Sequence, residues 1–343
     1  MNNVITATSK THTGLRAFCI GLLLPLALAP AAAWAQTAAT GSAQAWPAKS
    51  VRWVVPFTAG GGVDVTTRTI AQSLGARLGQ QFVIDNRGGA NGNIGVEIAV
   101  KSPADGYTLL MATTGNIVIN PHIYSKLPFD PSRDLTPVTP AVDVINVLVV
   151  HPALPAKSVK ELIALAKARP DQLNFASSGA GGSDHIAAEL FKSMSGSRMV
   201  NVSYKGGAPA MIDLLAGNVE VMFATMAVAI GPIKSGRLRP LGLTSGKRFE
   251  LLPQIPTIAE AGLSGYEAAF WFGAFVPAGT PREIVARLNS EIRNALQVPE
   301  VRRRLLEFGL VATGAPAEEF AAFVQAESKK WAGLAKERGL RVE

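Results

Sequence analysis

The sequence predicts an α/β protein in two domains, and three observations support that class. Short β-rich runs alternate with helical patterns in two successive series, helix starts carry capping residues, and glycine-rich turns recur where the β-rich runs end. This order implies βα units built around mainly parallel sheets.

The elements follow in sequence. "VRWVVPF" reads as a strand, "VDVTTRTIAQSLGARL" as a helix, "QFVIDNR" as a strand, "NIGVEIAVKS" as a helix and "TLLMATT" as a strand. A second series begins at "INVLVV" and continues through "VKELIALAKA", "LNFASS", "DHIAAELFKSM", "RMVNVSY" and "PAMIDLLAG" to "VEVMFAT". Ser158 with Glu161, Thr257 with Glu260, and Thr280 with Glu283 fit the S/T-x-x-E capping box, in which side chains satisfy unpaired backbone N–H groups. Pro281 is expected at the first helical position, where its missing N–H is harmless. Phe320, Phe323, Val324, Trp331 and Leu334 follow helical spacing and predict an apolar stripe laid on a core.

The N-terminus reads as an address. Lys10 and Arg16 precede an apolar run, "AFCIGLLLPLALA" at 17–29, and Ala33-Trp34-Ala35 supplies the small residues of a cleavage site. A membrane-spanning helix needs about 20 apolar residues; this core is shorter and contains Pro25, with Pro30 just beyond it. We therefore expect a signal peptide over residues 1–35 and export to the periplasm, with a flexible leader at 36–45. Removing 35 of the 343 residues leaves 308, enough for two domains. The one cysteine, Cys19, leaves with the signal segment, so neither disulfides nor thiolate metal sites hold the fold. The remaining charge is 31 Lys+Arg against 25 Asp+Glu, a mild and dispersed surplus that favours anions in general. Arg302, Arg303 and Arg304 form the one tight basic run and read as a solvated helix face. No nucleic-acid partner is expected, because no recognition motif accompanies them.

Glycine-rich turns follow four of the predicted strands: "TAGGG", "TTG" at 113–115, "SSGAGG" at 177–182 and "YKGGA" at 204–208. In open α/β sheets ligands bind at that edge, so the four turns predict one shared cleft. Loops without Cβ atoms let backbone N–H groups approach a ligand, and each following helix adds the positive end of its dipole. A carboxylate can be held this way without a buried cation.

Competing chemistries fail on the residues. A P-loop needs G-x-x-x-x-G-K-[ST], and the chain offers "GGGVDVTT" with no lysine. The G-x-G-x-x-G pattern begins at Gly179 and Gly181 but meets Asp184 at its last place. Ser183, Asp184 and His185 are neighbours on a helix, point in different directions and cannot form a catalytic relay. No G-x-S-x-G elbow occurs. His122 and His151 lie apart in sequence with no H-x-x-x-H spacing, so no metal site is expected. No cofactor motif is left. Ser183 reads as a helix-start residue, and His185 as a structural histidine or a polar contact at the cleft rim. Asp64 has two readings, a first-turn residue favoured by the helix dipole or a contact for a ligand amine or hydroxyl.

The runs "PFTAGGGVDVTTRTIAQSL", "NRGGANGNIGVEIAVKSPADGYTLL", "ELIALAKARPDQLNFASSGAGGSDHIAAELFK", "VSYKGGAPAMIDLLAGNVEVMF", "GRLRPLGLTSGKRFELLPQIPTIAEAG" and "WFGAFVPAGTP" occur in order. Together they resemble the Bug family, periplasmic solute receptors related to those of the tripartite tricarboxylate transporters, over about Trp46 to Leu334. The resemblance implies a two-domain periplasmic binding protein, a type II-like Venus flytrap with two chain crossings. One domain would comprise 46–146 plus 268–343 and the other 147–267. It implies a small carboxylated ligand, a di- or tricarboxylate or an amino or aromatic acid, and inner-membrane transporter subunits as partners of a monomeric receptor. Two opposed loops would clasp the carboxylate through backbone N–H groups and waters: Phe57, Thr58, Ala59, Gly60 and Gly61 on one side, Ser177, Ser178 and Gly179 on the other. Thr113, Thr114, Ala224 and Thr225 would complete the wall, with Asp64 as a further contact.

Two departures from that family's pattern carry consequences. Ala59 stands where proline commonly precedes the glycines, which implies a less rigid loop. Ser183-Asp184 stands where the family often has a hydroxyl or small residue and then histidine or a neutral side chain: facing the cleft, Asp184 would disfavour a second carboxylate on that side and favour an amine or neutral end, and as a helix cap it would do neither. The rivals to a transport receptor are an exported sensor that docks on a membrane partner and an α/β enzyme acting on an anionic substrate.

Overall fold

The computed structural model describes residues 46–179, 181–204, 206–338 and 341. The expected signal peptide and leader lie outside the described residues.

The first series contains β1 (Val51–Val55), α1 (Gly62–Leu78), β2 (Phe82–Asn86), a 3-10 turn at Ala90–Gly92, α2 (Asn93–Val100) and β3 (Thr108–Thr113). A π-helical turn (Gly115–Ile119) and the short α3 (Asn120–Ile123) and α4 (Pro131–Asp134) lead into β4 (Leu135–Val144). The second series is β5 (Asn146–Val150), α5 (Val159–Ala168), β6 (Asn174–Ser177), α6 (Ser183–Ser195), β7 (Val200–Ser203), α7 (Gly207–Ala216), β8 (Val221–Thr225), α8 (Met226–Lys234) and β9 (Arg239–Leu243). The chain ends with β10 (Phe270–Pro277), α9 (Arg282–Gln297), α10 (Pro299–Glu307), β11 (Leu310–Ala312) and α11 (Ala317–Arg338).

These elements make two sheets, ordered β11-β4-β10-β3-β1-β2 and β7-β6-β8-β5-β9. The chain leaves the first sheet after Val144, enters the second at Asn146, and returns between Leu243 and Phe270. Apolar runs too short for helices form the central strands, whose two faces are both covered. In β5, Leu148 and Val150 pack into one core and Val147 and Val149 into a second on the opposite face.

The sheets are mixed, not mainly parallel. β1 pairs in parallel with β2 and β3, and β6 with β7 and β8. β10 runs antiparallel between β3 and β4, and β5 antiparallel between β8 and β9. Hydrophobic alternation marks a strand but carries no information on its direction.

The capping residues behave differently from one another. Ser158 caps α5, accepting the Glu161 N–H at 3.2 Å. Thr257 and Glu260 exchange both bonds of a capping box, at 3.1 and 2.8 Å, yet the segment turns only once. Gly262 follows at φ +129, outside helical geometry, so the expected helix does not propagate. Thr280 is not a cap: its hydroxyl donates to the Pro277 carbonyl at 2.8 Å, and α9 begins one residue after Pro281, which occupies the cap position instead of the first turn. On α11, Phe320 and Trp331 are buried as expected, whereas Phe323 is 43% exposed and meets the Trp271 ring edge-on. Arg303 pairs with Glu300 and Glu307 on the exposed face of α10.

Candidate functional site

The loop after β1 is held by the acid that begins the next helix. Asp64, 3% exposed, accepts the Gly60 N–H at 2.9 Å, the Arg68 Nε–H at 2.9 and 3.0 Å, and the Asn86 amide at 3.0 Å. The Asn86 amide also donates to the Phe57 carbonyl. Burial alone would raise the Asp64 pKa, but hydrogen bonds from Arg68, Gly60 and Asn86 outweigh it and hold the carboxyl below the usual range. Gly60 adopts φ +86, a conformation that a Cβ makes costly.

The opposed loop after β6 repeats the device. Asp184, 3% exposed, accepts the Ser178 N–H at 2.6 Å, the Ser178 hydroxyl at 2.8 Å and the His185 N–H at 2.9 Å. Here burial outweighs the hydrogen bonds and pushes the pKa up to about 6. His185 accepts the Gly181 N–H through Nδ1 at 3.2 Å, and burial lowers its pKa, which favours a neutral ring. It is a structural histidine of the loop.

Between these loops lies a cavity of ≈ 500 Å³. Its wall includes Phe57, Thr58, Ala59, Gly60, Gly61, Thr113, Thr114, Ser178 and Thr225. Of the other expected residues, Asp64, Ser177, Gly179 and Ala224 do not line it. Asp64 sits behind its loop, and the buried Ser177 hydroxyl has no partner among the described residues. Thr114 braces the wall: its Oγ1 accepts the Trp271 N–H at 2.7 Å and lies 3.1 Å from the Trp271 carbonyl.

Four helices present first-turn residues to the cavity: Gly62 and Val63 of α1, Ser183 and Asp184 of α6, Gly207 to Pro209 of α7, and Ala227 and Val228 of α8. Each helix start carries N–H groups without an intrahelical acceptor and a partial positive charge of about half a unit. No lysine, arginine or histidine occurs among the described lining residues. The starts of α1, α7 and α8 therefore attract an anion through backbone dipoles alone, whereas α6 adds the acidic Asp184 to the lining. Apolar side chains, including Phe272, Phe308, Leu310 and Met222, supply much of the remaining wall.

Sequence reasoning missed Asn91. It lines the cavity in a left-handed conformation, φ 51 and ψ 38, with its carbonyl taking the Asn116 amide at 2.8 Å. Its Nδ2 donates to Asn120 at 3.3 Å and lies 2.5 Å from where a Cβ on Gly181 would stand. The loops of the two sheets thus meet edge to edge. The Asn91-Gly92 dipeptide, a strong turn signal, was the cue available. His122 contacts Ser328 and His151 contacts Ala153, neither of them at this cavity. No metal-binding cluster occurs among the described residues.

With this geometry in place, likeness to known proteins decides the family. The family model described as "Tripartite tricarboxylate transporter family receptor" matches residues 66–340. The chain belongs to that receptor family. Protein BugT of Bordetella pertussis is 36% identical over 312 residues, covering 91% of this chain and 96% of BugT. The structure of Rpa4515 with adipate, from R. palustris, is 40% identical with a TM-score of 0.81, covering 86% of this chain and 99% of that one. The periplasmic binding protein BugD is 31% identical with a TM-score of 0.79, covering 87% and 100%. As a tripartite tricarboxylate receptor, the chain shares the two-domain periplasmic-binding-protein fold of these neighbours and their solute-binding role.

Proposed function

We propose that this receptor captures a small carboxylate-bearing organic acid in the cavity between its two sheets and delivers it to the membrane subunits of a tripartite transporter. The observation that carries the proposal is the convergence of the N-termini of α1, α7 and α8, opposite that of α6 with its Asp184, on one cavity whose described lining residues include no cation. Backbone N–H groups and bridging waters hold the carboxylate, water-mediated bonds being nearly as favourable as direct ones. A carboxylate ligand in the Rpa4515 neighbour supports the same class. Residues Phe57 to Gly61 form one jaw and Ser178 the other, while Asp64 shapes its jaw from behind. The domains are 46–146 with 268–343, and 147–267, closing about the two chain crossings. The N-terminal address supports export of the chain to the periplasm, and no bond of the ligand is made or broken.

The test is purification of the exported chain, mass spectrometry of any co-purifying acid, and calorimetric titration with a panel of carboxylates. Saturable binding without turnover is expected. Turnover of a bound acid, abolished by changing a cavity residue, would replace the receptor with an enzyme.

A further inference from the structure

The four helix starts around the cavity are not electrically alike. At α1 the first-turn acid, Asp64, stands outside the cavity wall and is paired with Arg68. α7 and α8 carry no acid in their first turns. α6 alone contributes an acidic residue to the lining, and Asp184, its carboxylate buried under the Ser178 loop, has no ion-pair partner among the described residues. Its hydrogen-bond donors are two neutral groups of Ser178 and the His185 N–H. One side of the cavity therefore attracts negative charge, while at α6 the carboxylate cancels the dipole and reverses its sign.

The apolar wall sharpens this asymmetry. Phe57, Phe272, Phe308, Met222, Val228 and Leu310 all face the cavity, and Phe308 is among the exposed large hydrophobic residues of the protein. Such surface suits a hydrocarbon or aromatic body, and a second charged group against it would lose its water.

We propose that Asp184 makes this cavity selective for organic acids with a single carboxylate on an apolar body, by repelling the second carboxylate of a dianion. The inference rests on the receptor function above and narrows its ligand class. Burial and the Ser178 contacts fix the Asp184 carboxyl in place, so the repulsion is built into the wall and does not swing aside. The retained donor set also indicates that an amide at this position keeps the loop: an asparagine Oδ1 can still accept from Ser178.

Calorimetric titration of the exported chain with chain-matched pairs, hexanoate against adipate and benzoate against phthalate, tests this at pH 8, where Asp184 is ionised. The monoanion of at least one pair should bind about tenfold or more tighter than its dianion, as expected for like charges a few ångströms apart in a partly desolvated site. Asp184→Asn should shrink that ratio to about threefold or less, chiefly by strengthening the dianion. Thermal unfolding of the variant verifies its fold, and the wild-type ratio stands as a test that needs no variant. Equal or tighter dianion binding by the wild type, or an unchanged ratio in Asp184→Asn, would overturn the proposal while leaving the receptor function standing. Failure of every acid in a broader carboxylate panel to bind would instead overturn the receptor function and this proposal together.

Discussion

The Asp184 carboxylate takes both the backbone N–H and the hydroxyl of Ser178, at 2.6 and 2.8 Å, and so fastens one jaw of the cavity to the first turn of α6. Burial nevertheless raises its pKa to about 6 from 3.8. A raised folded-state pKa means that the native state binds the proton more tightly than the unfolded chain. The stabilisation is therefore complete below about pH 4 and is lost as pH rises through 6. Chemical denaturation of the wild type and Asp184→Asn from pH 4 to 8 should show a difference on the order of 3 kcal/mol developing across that window, in the variant's favour at high pH. A pH-independent difference between the two would show that Asp184 titrates alike in both states.

Asp64 has the opposite sign. Its folded-state pKa lies below the usual carboxylate range, so the stability it contributes is present above about pH 4 and is lost as pH falls through the folded value. Asp64→Asn should cost about 1 kcal/mol at pH 7, because the Arg68 partner is 49% exposed and solvent screens the ion pair. The variant should also lose part of the wild type's acid limb in denaturation curves between pH 2.5 and 5. Affinity for the bound acid should fall with it, since Gly60 loses a charged acceptor and its jaw is held less firmly.

Two neighbouring glycines in that jaw should respond differently. Gly60 lies at φ +86, so Gly60→Ala introduces backbone strain of about 1 to 2 kcal/mol although nothing lies within 4 Å of the new Cβ. Gly61 adopts an extended conformation, φ −79 and ψ 170, and its Cβ would stand 3.8 Å from the Thr58 carbonyl. Gly61→Ala should therefore unfold within about 0.5 kcal/mol of the wild type. Paired urea titrations check this; equal stability losses would mean that the loop conformation differs from the one described.

Local signals are legible in the chain, and non-local ones are not. The βα units of both series were legible because strand period, glycine stops and the Ser158 cap act over a few residues. The antiparallel placement of β10 was not, because "FWFGAFVP" specifies an apolar strand and not the neighbours it enters between. Thr257 and Glu260 show the limit of a motif: the box forms, and Gly262 still ends the turn. At the cavity, the glycine loops announced themselves by composition. The sequence leaves open which of Asp64 and Asp184 lies at the cavity, because that depends on side-chain direction and loop packing; Asp184 is among its lining residues and Asp64 is not.

If the receptor closes as proposed, closure requires the two loops to come together, and they meet at Gly181 and Asn91. A Cβ there would fall 2.5 Å from Asn91 Nδ2 and 3.3 Å from Asn120 Oδ1, on a residue that already needs φ +79. Gly181→Ala should hold the edges apart and weaken ligand binding by about tenfold or more, equivalent to roughly 1.4 kcal/mol, while secondary structure is unchanged. Adding Asn91→Ala removes the nearer clash but not the backbone strain, so the double variant should recover only part of the affinity. Small-angle scattering with saturating ligand should show a larger radius for the single variant than for the wild type. Wild-type affinity in a folded Gly181→Ala protein would show that the Gly181–Asn91 approach plays no part in closure.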